Sequence, residues 1–323
     1  MSVVNTSTPR PGGRKTFKEW FALPKNQQRL VIFTFAVVPV FLLIMFTYYP
    51  FAKMVEFSFF NMSYTKNRGF IGLKNYISVF TKEELFSTFR ISLYYMVGAL
   101  VQIALALYFA TILSFRTKFT AFYKGAMFFP FLINGIAIGF IFKFFYTRGY
   151  VLDTTLGFFG IPLESLPFWL RDVRLNNWSL VATSVWKYMG QNMVLFAGAI
   201  MSVDPNLYEA AAIDGANKWH QFRYIILPSI STVLTLNVIL SITGSLSAFE
   251  PPYVITSMGG NGTATYFIKM HQTAHVEHRV GLACAMAVVL VLIIAVCTIF
   301  QKLLFKYAFR NAGTETKPVK EAK

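Results

Sequence analysis

The sequence predicts an all-α integral membrane protein with six transmembrane helices and both termini on the cytoplasmic side. Three observations predict it. Hydrophobic residues make up 55% of the 323, and Phe alone occurs 35 times. Charged residues make up only 14%, against roughly 25% in a soluble domain. Six separate runs reach or approach the ~20 apolar residues that a helix needs to cross a ~30 Å hydrocarbon core.

In chain order, residues 1–29 carry Arg10, Arg14, Lys15, Lys18, Lys25 and Arg29. No small-residue cleavage site follows the first apolar run. The segment therefore reads as a cytoplasmic tail leading into a retained helix and not as a removed signal peptide. The first span covers 31–52, with Pro39 and Pro50 as kink or end signals. The second covers 91–115 and has no charged residue. The third covers 125–146, with Lys143 near its outer end and a Gly135/Gly139 pair that permits close helix approach. The fourth, 178–201, contains Lys187, and the fifth, 229–249, starts directly after Pro228. The sixth covers 280–304. Residues 30–310 thus form one membrane domain, and the polar segment 311–323 reads as a disordered cytoplasmic tail. Three outer loops, 53–90, 147–177 and 250–279, contain apolar residues and are expected to pack on the membrane surface.

Charge orients the chain. The net charge is +16. With the amino terminus inside, 17 basic residues fall on the inner side and 11 on the outer, the sign that the positive-inside rule requires. The excess sits beside long apolar runs, so anionic lipid and membrane orientation account for it and nucleic acid is not implied. Cys284 and Cys297 lie thirteen residues apart in one predicted helix, about 20 Å along its axis, too far for a disulfide.

Several chemistries are excluded. The chain has no phosphate-binding Gly-rich loop ending in Gly-Lys-Ser/Thr, no dinucleotide fingerprint and no His-Glu-x-x-His. Any ATP used for transport is hydrolysed by another chain. His271, His275 and His278 have metal-ligand spacing, but they read as an exposed interfacial helix before the sixth span, with a metal site as the lesser alternative. An intramembrane enzyme would need catalytic groups at membrane depth, and the predicted spans hold no acid or histidine.

One inner connection, 204–228, stands apart. Asp204 is a good N-cap and Pro205 suits the first helical position. Ala210, Ala211 and Ala212 favour helix, and Gly215 is placed to end it in a left-handed conformation. A second short helix follows before Pro228. The result is a helix–Gly–helix elbow. Its low side-chain bulk suits a groove on a partner, with Glu209 and Asp214 available to basic groups there. A surface helix rich in good helix formers fits the same residues.

These residues resemble a family. Glu209-Ala210-Ala211, Gly215 and Ile226-Leu227-Pro228 are similar to the "EAA" signature of ABC importer permeases, and the longer run from Glu209 to Ala216 is similar to the sugar-uptake branch of maltose and glycerol-phosphate type. The residues 70–76, Phe-Ile-Gly-Leu-Lys-Asn-Tyr, resemble the family's first outer-loop motif. The residues 258–263, Met-Gly-Gly-Asn-Gly-Thr, resemble its Gly-Gly turn, with Asn261 where the family usually has Pro. The large outer insertion and the extra amino-terminal helix pair of the maltose-type subunit have no counterpart here.

The resemblance implies a type I ABC importer permease in a bacterial or archaeal cell (inner) membrane. It implies a second homologous permease, two cytoplasmic ATPase subunits that hold ATP-Mg, and an extracytoplasmic binding protein that delivers a sugar, expected in oligosaccharide form. This chain itself binds no cofactor. The elbow becomes the coupling helix: Glu209 anchors to the ATPase, Ala210–Ala212 pack closely, and Gly215 sets the bend.

For the sugar pathway, polar residues deep in a span face a cavity or another helix. The candidates are Lys187, Tyr188, Gln191 and Asn192 on the fourth span and Asn237, Ser241 and Thr243 on the fifth, with inter-helix hydrogen bonding as the competing role. A secondary transporter of a small polar solute is the alternative class. It predicts internal repeats and midplane breaks, and no repeat is visible.

Overall fold

The computed structural model describes residues 24–64, 66–115 and 118–308. The tail 311–323 and residues 1–23 of the tail 1–29 lie outside the described residues. The chain divides into two compact units, Met1–Glu56 and Phe57–Lys323.

The first unit is dominated by one long helix. Helix α1 (Pro24–Leu43) passes through a π-helical turn, Ile44–Tyr48, into α2 (Tyr49–Phe57). Neither proline ends it, contrary to one reading of the sequence. Pro50 has no N–H to give the carbonyl four residues earlier, and its ring crowds that carbonyl. The wider π turn just before it absorbs the misfit. An unpaired backbone in lipid is costly, which keeps the helix continuous.

The second unit opens with an element that an all-α reading misses. Strands β1 (Phe60–Ser63) and β2 (Lys66–Phe70) form an antiparallel hairpin with an irregular register between Phe60 and Met62. Residues 70–76 lock it. Gly72 turns the chain at φ +58° into α3 (Lys74–Thr81). Buried Asn75 then donates from Nδ2 to the carbonyls of Ser58 (2.8 Å) and Phe60 (3.1 Å). Tyr76 Oη lies 2.6 Å from Ser58 Oγ. A short helix, α4 (Glu83–Phe86), leads into α5 (Phe89–Ser114).

The third predicted span is not one helix. Helix α6 (Thr120–Leu132) and helix α7 (Gly135–Tyr146) meet at 97°. Ile133 is extended, and Asn134 caps α7 by accepting from the Ile136 N–H at 2.9 Å. Pro130, Asn134 and Gly135 together carry this stop-and-start signal. After α8 (Val151–Phe158) comes α9 (Asn176–Met201), about 39 Å long. Among the described residues four helices are long and apolar enough to cross a membrane, or five with the bent pair counted as one. Helix α9 is long enough but too polar to be among them. It runs alongside α5, where Gly98 lets Val181 approach so closely that a Cβ would lie 2.3 Å from Val181 Cγ1.

The elbow follows as α10 (Pro205–Ile213) and α11 (Lys218–Gln221), then a π-helical turn, Phe222–Ile226. Helix α12 (Ser231–Leu246) breaks at Ser247 and restarts as α13 (Glu250–Val254). Helix α13 lies across α7: a Cβ on Gly135 would fall inside the Glu250 carboxylate, and one on Gly139 would sit 2.6 Å from Val254 Cβ. The Gly135/Gly139 pair is therefore a packing surface for α13.

The Gly-Gly turn precedes α14 (Tyr266–His275). Asn261 adopts φ +57° there, which proline cannot reach, so this turn differs from one with Pro at that position. Its carbonyl accepts from Asn176 Nδ2 at 2.7 Å, and its own Nδ2 donates to the Leu170 carbonyl at 3.1 Å.

The last helix is α15 (Val280–Ala308). Its first turn touches the hairpin: a Cβ on Gly281 would lie 2.1 Å from the Phe60 carbonyl oxygen. Gly281→Ala must displace strand backbone, and a loss of about 1–3 kcal/mol is expected, read as a lower thermal midpoint of the purified protein. An unchanged midpoint would contradict this contact.

The core divides by position. Ile103, Ala106 and Leu113 of α5 meet Met193, Phe196 and Ile200 of α9, and Ile226 and Ile230 close the end beside the elbow. At the opposite end of α5, Val79, Leu85 and Tyr266 pack on Leu282, Met286 and Leu290 of α15.

Candidate functional site

Two features carry the function: the elbow and a cavity between α5, α9 and α12. The elbow forms by local rules. Asp204 accepts from the Asn206 N–H at 2.9 Å, and Pro205 takes the first helical position. Gly215 sits at φ +78°. Its N–H donates to the Ala212 carbonyl at 3.1 Å, and the Ala216 N–H donates to the Ala211 carbonyl at 2.8 Å. These two bonds complete a Schellman ending. Asn217 then caps α11 by accepting from the His220 N–H at 2.9 Å.

Side chains pin the elbow to α5. Tyr208 packs against the Phe115 ring, and Lys218 Nζ lies 4.4 Å from the centroid of the same ring. Burial raises the Tyr208 phenol above its ordinary pKa. The opposite face is open. Glu209, Ala210, Ala212, Asp214 and Gly215 are exposed and Ala211 is half-buried. Ile213 is 87% exposed, and Leu207 and Trp219 are exposed beside it.

The cavity measures about 480 Å³. Of the residues named from sequence, Tyr188, Gln191, Asn192 and Ser241 line it. Three do not. Asn237 is buried and donates from Nδ2 to the Val233 carbonyl of its own helix at 2.9 Å. Thr243 is not among the residues of the wall. Lys187 lies behind the wall, with Nζ 2.6 Å from Glu250 Oε2 and 4.9 Å from the centroid of the Tyr188 ring.

The sequence reading missed Tyr95, Gln102, Ser245, Phe249 and Glu250, which also line the cavity. A signal existed for Gln102, the one amide in the uncharged span 91–115. Glu250 looked like a loop residue because Pro251 and Pro252 follow it. Ser245 donates to the Tyr95 carbonyl at 3.1 Å, tying α12 to α5 at the wall. Tyr95 Oη and Asn192 Nδ2 are buried without a protein partner.

The histidine trio does not converge. His271 and His275 are neighbours on α14 with ring centroids 4.6 Å apart, whereas His278 stacks on Tyr64 at 4.3 Å. Burial first, then the adjacent His275, holds His271 below its ordinary pKa. Among the described residues no three His, Cys, Asp or Glu could hold a metal. Lys143 reaches Ser257 Oγ at 3.4 Å. Both cysteines are free.

Known proteins agree with this architecture. Residues 21–308 match the family described as binding-protein-dependent transport system inner membrane component. The chain is 28% identical over 288 residues, 87% of its length and 98% of the relative's, to the probable ABC transporter permease protein YurN of Bacillus subtilis. It is 29% identical over 257 residues, 78% of this chain and 86% of the relative, to the probable starch degradation products transport system permease protein AmyD of Thermoanaerobacterium thermosulfurigenes. A chain of the bacterial alginate ABC transporter, solved in complex with its alginate pentasaccharide-bound periplasmic protein, superposes with a TM-score of 0.76. That superposition covers 90% of this chain and 99% of the other at 15% identity, and it speaks to the fold alone. The broken third span, the polar α9 and the capped elbow thus have their setting: this chain belongs to the inner membrane components of binding-protein-dependent transport systems, and not with secondary transporters or intramembrane enzymes.

Proposed function

We propose that this chain is one of two permease subunits of an ATP-driven sugar importer, with the cavity as its share of the translocation path. The proposed assembly adds a second homologous permease, two cytoplasmic ATPases that carry ATP-Mg, and an extracytoplasmic binding protein that supplies the sugar. Counting α9 and the bent pair α6–α7 as one span each gives six crossings, with both termini and the elbow on the cytoplasmic side.

The observation that carries this reading is the elbow: rigidly capped, pinned to α5 by Tyr208 and Lys218, and bare at Leu207 and Ile213. Apolar side chains held on a rigid helix are what a lever needs to enter a groove on a moving partner. Nucleotide-driven closure of the ATPases then rocks the permeases between inward- and outward-facing states. In the cavity, the amide groups of Gln191, Asn192 and Gln102 and the hydroxyl of Ser241 offer the mixed donors and acceptors that sugar hydroxyls require. Tyr188 adds a flat face for a pyranose ring. The relative named for starch degradation products supports the sugar class.

The test is a disulfide cross-link. In a chain with Cys284 and Cys297 replaced by serine, Ile213→Cys is expected to form a disulfide, under an added oxidant, with a cysteine placed in the groove of the ATPase subunit, with a yield that changes on adding ATP. Labelling of that cysteine only from the outer side would sink the reading. In the same preparation, Gln191→Ala is expected to weaken sugar uptake about 10-fold, the effect of one lost hydrogen bond at about 1.4 kcal/mol.

A further inference from the structure

Among the described residues, the cavity wall carries one acidic side chain and no basic one. Tyr95, Gln102, Tyr188, Gln191, Asn192 and Ser241 are neutral, and Glu250 is the exception. Three features hold the Glu250 carboxylate in place. Its Oε2 takes a hydrogen bond from Lys187 Nζ at 2.6 Å. It occupies the space that a Cβ on Gly135 would fill, at the first turn of α7. Pro251 and Pro252 stiffen the backbone that follows it.

The two charges differ in access. The Glu250 side chain is 40% exposed, whereas the Lys187 side chain is 9% exposed and lies over the Tyr188 ring. A ligand in the cavity therefore meets the carboxylate and not the ammonium. A carboxylate accepts hydroxyl hydrogens through short, charge-assisted bonds. A second carboxylate brought beside it meets like charge in a partly walled site where screening is weak. Excluding the wrong ligand by repulsion is an economical route to specificity.

Resting on the sugar-import reading above, we propose that Glu250, positioned by Lys187, is a charge filter that accepts neutral sugars by their hydroxyls and excludes uronates. Lys187, the more buried partner, holds the carboxylate from behind and leaves the negative end of the pair on the cavity side.

The test uses the purified transporter complex without its binding protein, whose own selectivity then does not enter. Equilibrium binding is measured for neutral disaccharides (maltose, trehalose and cellobiose) and for uronate disaccharides (digalacturonate and dimannuronate). At least one neutral disaccharide is expected to bind about 10-fold or more tighter than either uronate. Glu250→Gln, which keeps an oxygen for Lys187, is expected to narrow that ratio about 10-fold, mainly through a gain for the uronates. Glu250→Asp, which keeps the charge, is expected to preserve it. Uronate binding by the unaltered protein that equals or exceeds neutral binding overturns the filter and leaves the sugar reading intact. So does an unchanged ratio in Glu250→Gln. Binding of no sugar from either set overturns the sugar reading and the filter with it.

Discussion

Replacing Gly215 with valine is expected to abolish ATP-driven uptake while the chain stays inserted and assembled. No atom lies within 4 Å of where a Cβ at Gly215 would sit, so the larger side chain meets no clash. The backbone carries the whole effect. Gly215 is at φ +78°, a conformation that costs an L-residue roughly 1–2 kcal/mol and costs a β-branched one more. Relief comes by leaving that conformation, which breaks the bonds to Ala212 and Ala211 and lets α10 swing relative to α11. The lever then no longer points its bare face, Leu207 and Ile213, in a set direction. Asparagine tolerates the left-handed region, so Gly215→Asn is expected to keep most of the uptake. Both variants are read as sugar uptake and ATP hydrolysis in reconstituted vesicles, with the thermal midpoint of the complex as control. Equal uptake by the valine and asparagine variants would remove the elbow's geometry from the mechanism.

Two glycines eight residues apart on α9 are expected to respond to alanine with opposite signs. At Gly190 a Cβ would lie 1.8 Å from the Met127 carbonyl oxygen and 2.9 Å from Phe128 Cα. Those are backbone atoms of α6, which cannot rotate aside, so Gly190→Ala is expected to cost about 3 kcal/mol, the upper part of the range for overpacking. At Gly198 nothing lies within 4 Å, and alanine there gains about 1 kcal/mol of helix propensity. Thermal unfolding of the purified complex measures both. A rise for both would mean that α6 and α9 do not touch at Gly190, and a fall for both would mean that the space beside Gly198 is filled. The Gly190 variant also disturbs the cavity, because Tyr188, Gln191 and Asn192 flank it on the same helix. Its remaining folded fraction is expected to bind sugar more weakly.

The elbow was readable residue by residue. Asp204, Pro205, the alanine run and Gly215 act on neighbours within four or five positions, so their order in the chain specifies their geometry. The apolar helices were readable for a similar reason, since length and hydropathy alone decide whether a segment suits lipid. The break at Asn134 had its signals in Pro130 and Gly135, but a continuous apolar run masked them. The hairpin was hidden because its strands are short and its lock, Asn75, acts on carbonyls 15 and 17 positions away.

By itself, then, the sequence determined the membrane class, the approximate bounds of the long apolar helices and the capped elbow. Tertiary structure alone decided which polar groups share the cavity, that Lys187 answers Glu250 across 63 positions, and that Asn237 turns back on its own helix. The physical reason lies in the contrast that each choice depends on. Caps and turns are set by local hydrogen bonds, which the chain order dictates. The rotation of one membrane helix against another has no such guide, because lipid-facing and protein-facing sides are both apolar. Contacts such as Gly190 on Met127 and Gly135 on Glu250 then select the pairing.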